Sequence, residues 1–377
     1  MFQLCAELHS LVDVHRLNYA ITRTAPYFPA MMVQRKTSMW DDWLESCDTL
    51  PKAVYWPNLP RYFCDMECLS QCAVQILYDQ THIAVVFSHY VTDGSGGCAF
   101  FEHLLHEYVQ GFSTQKTVIP FYVSTEDAYR ICEGSEPTTP SSIYHKAFQL
   151  SEGQTEGEIL STYLHCPVSS LKRAAHRYHA TINQFLTAAL MLAIERVRKK
   201  KGRPIRLMIP LDLRKILAND TQRNFTLYIA AEEPNQEDLQ VDELIQHLRE
   251  SQHNQTDAQL LKARIHANLR MEQHFFWRLL PFPIKSALLQ FVHKNWVERQ
   301  FTMTFSNLGL FSSEISMGYI KKMNFMLTPL RSGRYNCSCI SCNGLLVISF
   351  VRTIQQPIIE HELVQVLSEL GVEVSCS

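Results

Sequence analysis

The chain has 377 residues, of which 46% are hydrophobic and 19% are charged, and its formal net charge at pH 7 is -2. This composition is typical of a folded globular protein, and the length favours two domains or one large α/β unit. The near-neutral charge argues against nucleic acid as the main partner, because surfaces that bind nucleic acid are usually basic.

The N-terminal residues and the cysteines bear on the cellular compartment of the protein. Residues 1–7 lack the basic and long apolar regions of a secretory signal peptide. Without such a signal, a reducing setting is the expectation, and the 12 cysteines are expected to be free thiols. No apolar run approaches the ~18 residues that span a bilayer. We therefore expect a cytoplasmic protein without a membrane span.

The first half of the chain alternates strands and helices. Apolar spacing predicts strands at 2–9, 30–34, 72–78 and 83–87, and helices at 12–24 and from Gly94 onward. The last two strands are separated only by residues 79–82, so they predict a hairpin that ends just before His89.

Residues 134–157 are the candidate linker, because they are rich in Pro, Ser, Thr and Gly. Beyond them the same spacing predicts strands at 159–165, 205–211, 225–231, 301–305, 335–342, 345–351 and 372–374, and helices at 167–178, 182–198, 239–253, 283–297 and 360–370. Asn343-Gly344 is a strong hairpin signal between two of these strands. Strands and helices interleave on both sides of the linker, which favours two α/β layers divided into domains 1–150 and 151–377.

His89 is the central candidate for chemistry. It lies where an apolar strand gives way to a polar, glycine-rich turn, so a rigid strand would hold a side chain that faces an opening. A histidine with a pKa near ~6.5 can act as a general base at cellular pH. Such a base would take the proton from an acceptor O–H or N–H as that atom attacks a thioester carbonyl.

Asp93 and Gly94 complete the local pattern His-x-x-x-Asp-Gly. The carboxylate is expected to fix the loop by pairing with a cation, and the glycine relieves the backbone at the turn. We assign Asp93 a structural role and not that of a second base. The alternative is a strand-end histidine followed by an ordinary Asp-Gly turn.

This pattern resembles the chloramphenicol-acetyltransferase-like superfamily, which includes plant-type acyltransferases, peptide-synthetase condensation domains and wax-ester synthases. The resemblance is closest to the bacterial alcohol-acetyltransferase-like branch. Three further segments support it in the family's order: Ile-Pro-Leu-Asp-Leu-Arg at 209–214, Gln-Arg-Asn-Phe at 222–225 and Thr-Phe-Ser-Asn-Leu-Gly at 304–309.

The resemblance implies an α/β (α+β) protein of two-layer sandwiches. It would have two similar domains of mixed β-sheet flanked by helices, with an active-site tunnel between them and His89 midway. Asp93 would point away from the tunnel and pair with an arginine, for which Arg214 is the first candidate and Arg223 the second. Ser306, Asn307 or the backbone near Gly94 would stabilise the developing oxyanion.

Two positions depart from the family's pattern. Ser88 stands before His89, where many members have a second histidine, although that residue is not the base. The chain also begins at its first expected core strand, where relatives usually carry a short preceding segment that closes part of the acceptor side. We expect this second difference to bear on activity.

The cysteine groups at 337–342 and 64–72 are interpreted as packing residues, so no metal site is expected.

The leading hypothesis is an acyltransferase that moves an acyl group, with acetyl as the first expectation, from acyl-CoA to a small alcohol or amine. Acyl-CoA would be a co-substrate, and no permanently bound cofactor is expected. One alternative is a stand-alone condensation enzyme that takes its acyl group from an acyl-carrier protein. The other is a catalytically inactive binding protein of the same fold.

Overall fold

The structure of the protein is a computed structural model that describes most of the chain. It describes all residues except 63–70, 111–123, 125, 127, 133–144, 151–158, 200–201, 235–239, 273–279, 312–315, 330–333 and 377. Most of the predicted linker therefore lies outside the described residues. Among the helices that are described, none has the combined length and apolarity required to cross a bilayer.

The described strands are β1 (Phe2–Leu8), β2 (Val33–Thr37), β3 (Asp42–Ser46), β4 (Val54–Tyr55), β5 (Val74–Tyr78), β6 (His82–Phe87), β7 (Leu160–Pro167), β8 (Arg206–Asp212), β9 (Thr226–Glu232), β10 (Met303–Leu310), β11 (Ile320–Leu327), β12 (Tyr335–Cys342), β13 (Leu345–Arg352) and β14 (Ser375–Cys376). The described α-helices are α1 (Val14–Thr24), α2 (Gly94–Gln110), α3 (Val168–Arg177), α4 (Ile182–Val197), α5 (Arg214–Leu217), α6 (Val241–Gln255), α7 (Ala258–Glu272), α8 (Phe282–Val292), α9 (Ser316–Tyr319) and α10 (Ile358–Glu369). A π-helical turn, His293–Val297, continues α8.

The first sheet has the strand order β11–β1–β6–β5–β4. The predicted hairpin is confirmed, because β5 and β6 are antiparallel with Val74 opposite Phe87. The ring of Phe87 stacks on Phe2 of β1 with the centroids 4.9 Å apart, and it meets Phe100 of α2 edge to face. These rings are fully buried, so the end of β6 is anchored in the core immediately before His89.

The second sheet has the strand order β14–β7–β13–β12–β10–β8–β9. Strand β10 is parallel to both β12 and β8, whereas β12, β13 and β7 are antiparallel, so the sheet is mixed. The predicted turn between β12 and β13 is also confirmed. Its residues Asn343 and Gly344 have φ values of 50° and 78°, the left-handed conformation that a tight hairpin of this kind requires.

The two sheets pack against each other through a shared cluster of buried side chains. Strands β1, β6 and β11 contribute Cys5, Val86 and Met326 to this cluster, and β7 and β13 contribute Tyr163 and Val347. Although β11 follows residue 150 in the chain, it pairs with β1 in the first sheet. The predicted domain boundary after residue 150 remains a prediction.

Several local predictions differ from the structure. The last strand is predicted at 372–374 but is Ser375–Cys376, because that segment is the one that pairs with β7, with Ser375 opposite His165. The predicted helix at 283–297 is α-helical only to Val292. The strand predicted at 30–34 begins later, at Val33, as β2. Helix α7, strand β11 and strand β3 were not predicted, because their apolar residues follow neither a clear helical nor a clear strand period.

Candidate active site

His89 lies in a turn that directly follows β6. The backbone N–H of Ser88 donates to the carbonyl of Ala73, and Val91 donates to the carbonyl of Ser88, so the turn is closed on both sides. The imidazole meets the ring of Phe2 edge to face at 5.6 Å. The His89 side chain is exposed, and it lines the cavity described below. The strand end thus presents one imidazole to an internal space.

Asn224 holds the His89 ring from the other half of the chain. Its Nδ2 donates to the main-chain carbonyl of His89 at 2.8 Å and lies 3.1 Å from Nδ1 of the ring. The Asn224 amide is itself oriented, because its Oδ1 accepts a hydrogen bond from the Thr226 hydroxyl at 2.9 Å. Among the described residues, Nε2 of His89 has no hydrogen-bond partner. The ring is therefore fixed on one side and open on the other.

The surroundings of His89 favour its neutral form. Burial among protein atoms lowers the pKa of His89 below 6.5, and the positive N-terminal amine lowers it further. The ring's hydrogen bond to its own carbonyl and the charge of Asp93 act in the opposite direction, without reversing the shift. A neutral imidazole at pH 7 keeps one ring nitrogen free to accept a proton.

Asp93 is fully buried beneath the His89 turn and is paired with Arg214. Nη1 of Arg214 donates to both carboxylate oxygens of Asp93, at 3.0 and 2.8 Å. The backbone N–H groups of Gly96 and Phe225 donate to the same carboxylate at 3.0 and 2.7 Å. The contact from Gly96 also makes Asp93 the N-cap of α2. One carboxylate thus connects the helix that follows His89 with the loop that carries Asn224.

Arg214, like Asp93, has several hydrogen-bond and ion-pair partners. Burial alone lowers the pKa of Arg214, but the charges and hydrogen bonds of Asp93 and Asp212 more than offset this, and the net direction is upward. Its Nε donates to the carbonyl of Thr221, and its Nη2 donates to the carbonyl of Arg223. The two predicted arginines therefore differ: Arg214 meets Asp93 with its side chain, whereas Arg223 contributes its backbone and has an exposed side chain.

The glycines of this segment lie where there is no space for a side chain. A Cβ on Gly94 would overlap the side chain of Leu308 on β10. A Cβ on Gly96 would overlap the Thr92 hydroxyl and lie 2.9 Å from the carbonyl oxygen of Gln222. Gly94 therefore allows β10 to approach the His89 turn, and Gly96 allows the 221–225 loop to approach α2.

A cavity of about 1250 Å³ opens in front of His89, between the two sheets. The first sheet contributes Phe2 and Phe325 to its wall, and the second contributes Pro210 and Thr304. Helices α7 and α8 and the π-helical turn form another wall. The residues of these helical segments that line the cavity are Ile265, Asn268, Leu269, Leu289, Gln290, His293 and Lys294. This cavity lies where the resemblance predicts a tunnel.

The predicted oxyanion residues line the same cavity. Ser306 and Asn307 lie on β10, as does Leu308, which packs against Gly94. Oδ1 of Asn307 accepts the backbone N–H of Gly309 at 2.8 Å, which orients the amide, and its Nδ2 is the donor group. The structure thus brings His89, Asp93, Gly94, Ser306 and Asn307 to one space, with Arg214 directly beneath it.

Sequence reasoning missed two groups at this cavity. Asn224 was read only as part of the 222–225 segment, although an amide two residues before the Thr226 hydroxyl is a local signal for an oriented side chain. The second group is a pair in which Nδ1 of His293 lies 3.1 Å from Oε1 of Glu298, and Glu298 is buried. Its spacing of five residues gave no signal, because the π-helical turn that brings the two together was not predicted.

The chain matches no protein-family model, and a search of curated proteins gives no match. Solved structures do match it. Polyketide synthase associated protein 5 from Mycobacterium tuberculosis is 16% identical over 98% of this chain and 94% of that chain, with a TM-score of 0.66. The first condensation domain of the CDA synthetase is 13% identical over 98% and 90%, with a TM-score of 0.63. This chain has the condensation-domain fold.

The epimerization domain from the third module of tyrocidine synthetase B shows the same likeness, with a TM-score of 0.60, 13% identity and coverage of 98% and 90%. The predicted fold class is therefore confirmed: two mixed sheets flanked by helices form the chloramphenicol-acetyltransferase-like, two-lobed arrangement across nearly the whole chain. At these identities the likeness shows the fold, so the chemistry of the site must be argued from its own residues.

Proposed function

We propose that the chain is an acyltransferase in which His89 is the general base. The observation that carries this proposal is the His89 ring itself. It faces a cavity between the two sheets, its Nδ1 side meets the main-chain carbonyl that Asn224 also binds, and its pKa is lowered so that the ring is neutral at pH 7. A histidine packed as an ordinary core residue would have neither an open nitrogen nor a cavity in front of it.

The tautomer that suits this role carries its proton on Nδ1. That proton points at the carbonyl oxygen of His89, which also accepts from Asn224 Nδ2. A carbonyl oxygen has two lone pairs and can accept both bonds. Both donors then lie side by side, which accounts for the 3.1 Å between Asn224 Nδ2 and His89 Nδ1. Nε2 keeps its lone pair and faces the cavity.

The reaction proceeds in two steps. The acceptor oxygen or nitrogen forms a bond to the thioester carbonyl carbon while Nε2 of His89 takes the acceptor's proton. The carbonyl oxygen becomes an oxyanion, for which Ser306, the amide nitrogen of Asn307 and backbone N–H groups near Gly94 are the available donors. The C–S bond then breaks, the thiolate leaves and receives the proton from His89, and an ester or amide remains.

For the donor we propose acyl-CoA, with acetyl-CoA as the first to test, and for the acceptor an alcohol or amine. The test is release of free thiol from a panel of acyl-CoAs with alcohol and amine acceptors, measured with a chromogenic thiol reagent. Replacing His89 with Ala should reduce the rate about 10²–10⁴-fold. His9→Ala is the matched control, because it removes an exposed histidine at the end of the neighbouring strand. Full turnover by a folded His89→Ala protein would exclude the mechanism.

The likeness to condensation domains favours a second candidate for the donor, an acyl group carried on the phosphopantetheine of an acyl-carrier protein. The same assay separates the two, with acyl-carrier protein replacing acyl-CoA. Turnover only with the acyl-carrier protein would mean that the carrier-bound acyl group is the donor, with His89 still as the base. Tight binding of a cavity ligand without turnover on either donor would instead indicate an inactive binding protein of this fold.

A further inference from the structure

The structure exposes a set of large apolar side chains beside the cavity. Helix α8 exposes Ile284, Leu288 and Phe291 at 53%, 42% and 63%, and none of its described side chains is buried. The β2–β3 hairpin exposes Met39, Trp40 and Trp43 at 66%, 55% and 47%. These six residues are here called the outer surface. Single exposed apolar residues are normal, but six on two adjoining elements indicate a binding surface.

The helix and the hairpin form one surface because they are bonded to each other. The backbone N–H of Phe282 donates to the carbonyl of Met39 at 2.8 Å, and Nζ of Lys285 donates to the carbonyl of Trp40 at 3.4 Å. The guanidinium of Arg35 also lies 5.4 Å from the centre of the Phe282 ring. The start of α8 and the tip of the hairpin are thus joined at three points.

Helix α8 separates the outer surface from the cavity. Ile284, Leu288 and Phe291 recur at intervals of four and three residues, so they lie on one face of the helix. Leu289, Gln290 and His293 line the cavity, and the period of about 3.6 residues puts them on the opposite face. Leu289 belongs to both environments, since it lines the cavity and is 50% exposed. One helix is thus a wall of the cavity and part of the outer surface.

The charges at the edge of the outer surface indicate the kind of partner. Arg35 pairs with Asp42 at 2.7 Å, and Lys285 and Asp41 also flank the surface, so cations and anions are balanced. Such an edge has no net attraction for an anionic or a cationic partner. Tryptophan and long apolar side chains on a helix and a neighbouring turn are the residues that enter the headgroup region of a bilayer.

We propose that the outer surface docks on a zwitterionic lipid surface, and that the cavity takes a long-chain substrate, either acceptor or acyl donor, from that surface past α8. The substrate class rests on the proposed acyltransferase function. The docking does not rest on that function, because vesicle binding can be measured without turnover. The six side chains would bury their apolar area in the lipid, and the cavity behind α8 would receive the substrate without its chain crossing open water.

The test is flotation of the full chain with phosphatidylcholine vesicles. We expect the chain to float with the vesicles and its tryptophan emission to shift to shorter wavelength. The double variant Leu288→Ser/Phe291→Ser should weaken partition at least about tenfold, because two large apolar side chains no longer enter the lipid. The matched control is Leu11→Ser, which changes a 73% exposed leucine outside the outer surface and should float like the unmodified chain.

Three outcomes of the flotation experiment would overturn the proposal: no flotation, flotation only with anionic vesicles, or equal flotation of the double variant. A concentration-dependent dimer that the double variant abolishes would also overturn it, since a second copy would then cover the surface. For the substrate class, the double variant should lose activity on a long-chain alcohol in vesicles and keep it on a short-chain alcohol. An equal loss of activity on the long-chain and the short-chain alcohol would contradict the proposed substrate class. If no donor releases thiol with the unmodified chain, the proposed acyltransferase function is contradicted and the docking is not.

Discussion

Nη1 of Arg214 lies 3.0 and 2.8 Å from the two carboxylate oxygens of Asp93, although 121 residues separate them in the chain. Both side chains are almost completely buried, and the pair lies directly under the turn that carries His89. The guanidinium also binds the carbonyls of Thr221 and Arg223, so it holds the 221–225 loop against α2. The pair therefore orders both segments that position the His89 ring.

Replacing Arg214 with Met should lower the free energy of unfolding by about 3–5 kcal/mol, because it leaves the Asp93 carboxylate buried without its cation. Urea unfolding followed by circular dichroism measures this loss. Arg223→Met is the matched control: its side chain is exposed, and only its backbone meets Arg214, so its effect should stay within about 0.5 kcal/mol. Similar losses in both variants would contradict the assigned pairing.

The rate of acyl transfer should depend on pH through His89. The base must be neutral, and burial lowers the pKa of His89 below 6.5. The activity should therefore be constant from pH 8 down to about 6.5 and fall only at lower pH, approaching about tenfold per pH unit below the pKa. The pH profile of kcat/KM with a fast acyl-CoA tests this. An inflection above pH 6.5, or activity that rises as the pH falls, would contradict the assignment.

Asp93 provides a second test of that profile. Its negative charge raises the pKa of His89 against the effect of burial. In Asp93→Asn the inflection should thus move to still lower pH, because the imidazolium loses a favourable charge. The overall stability of this variant should also fall, so the profile must be measured on protein that is shown to be folded at each pH.

The sequence predicts those parts of the site that depend on residues close to one another in the chain. The strand end before His89, the Asp-Gly turn, the start of α2 at Gly94 and the hairpin at Asn343 all follow from residue types at neighbouring positions. The preference for Arg214 over Arg223 came from the family resemblance, and the structure shows the Arg214 side chain at Asp93.

The sequence could not predict contacts that depend on how the two sheets meet. Asn224 reaches His89 across 135 residues, and it is brought there by long-range contacts such as the pairing of β9 with β8, the bonds of Arg214 and the hydrogen bond from Phe225 N–H to Asp93. Strand β11 joins the first sheet from the far end of the chain, which no periodicity in its own residues indicates. Helix α7 was missed for a local reason, since its apolar residues do not gather on one clear face.

Replacing Asn224 should change the rate of turnover more than substrate binding, because Asn224 positions the base and does not itself take a proton. Asn224→Ala should lower kcat about 10–10²-fold with KM nearly unchanged, since the His89 carbonyl that accepts the ring's Nδ1–H loses the amide that fixes it. Asn224→Asp should also raise the pH of the inflection, because a carboxylate beside Nδ1 stabilises the imidazolium. Thr226→Val removes only the hydroxyl that orients the amide, and its effect should be smaller. A large rise in KM without a loss of kcat would instead make Asn224 a substrate-binding residue.

Gly96 should tolerate no side chain, because its neighbours belong to two segments that the fold brings together. A Cβ there would overlap the Thr92 hydroxyl and come within 2.9 Å of the carbonyl oxygen of Gln222, a backbone atom that cannot rotate away. That hydroxyl also donates to the same carbonyl oxygen, so a shift of either residue disrupts a buried hydrogen bond. Gly96→Ala should therefore cost about 1–3 kcal/mol of unfolding free energy, the usual range for overpacking. Gly318→Ala is the matched control, since a Cβ at Gly318 meets no atom within 4 Å. Equal stability of the two variants in urea would show that the 221–225 loop can move away from α2, and the close packing assigned to this junction would then be wrong.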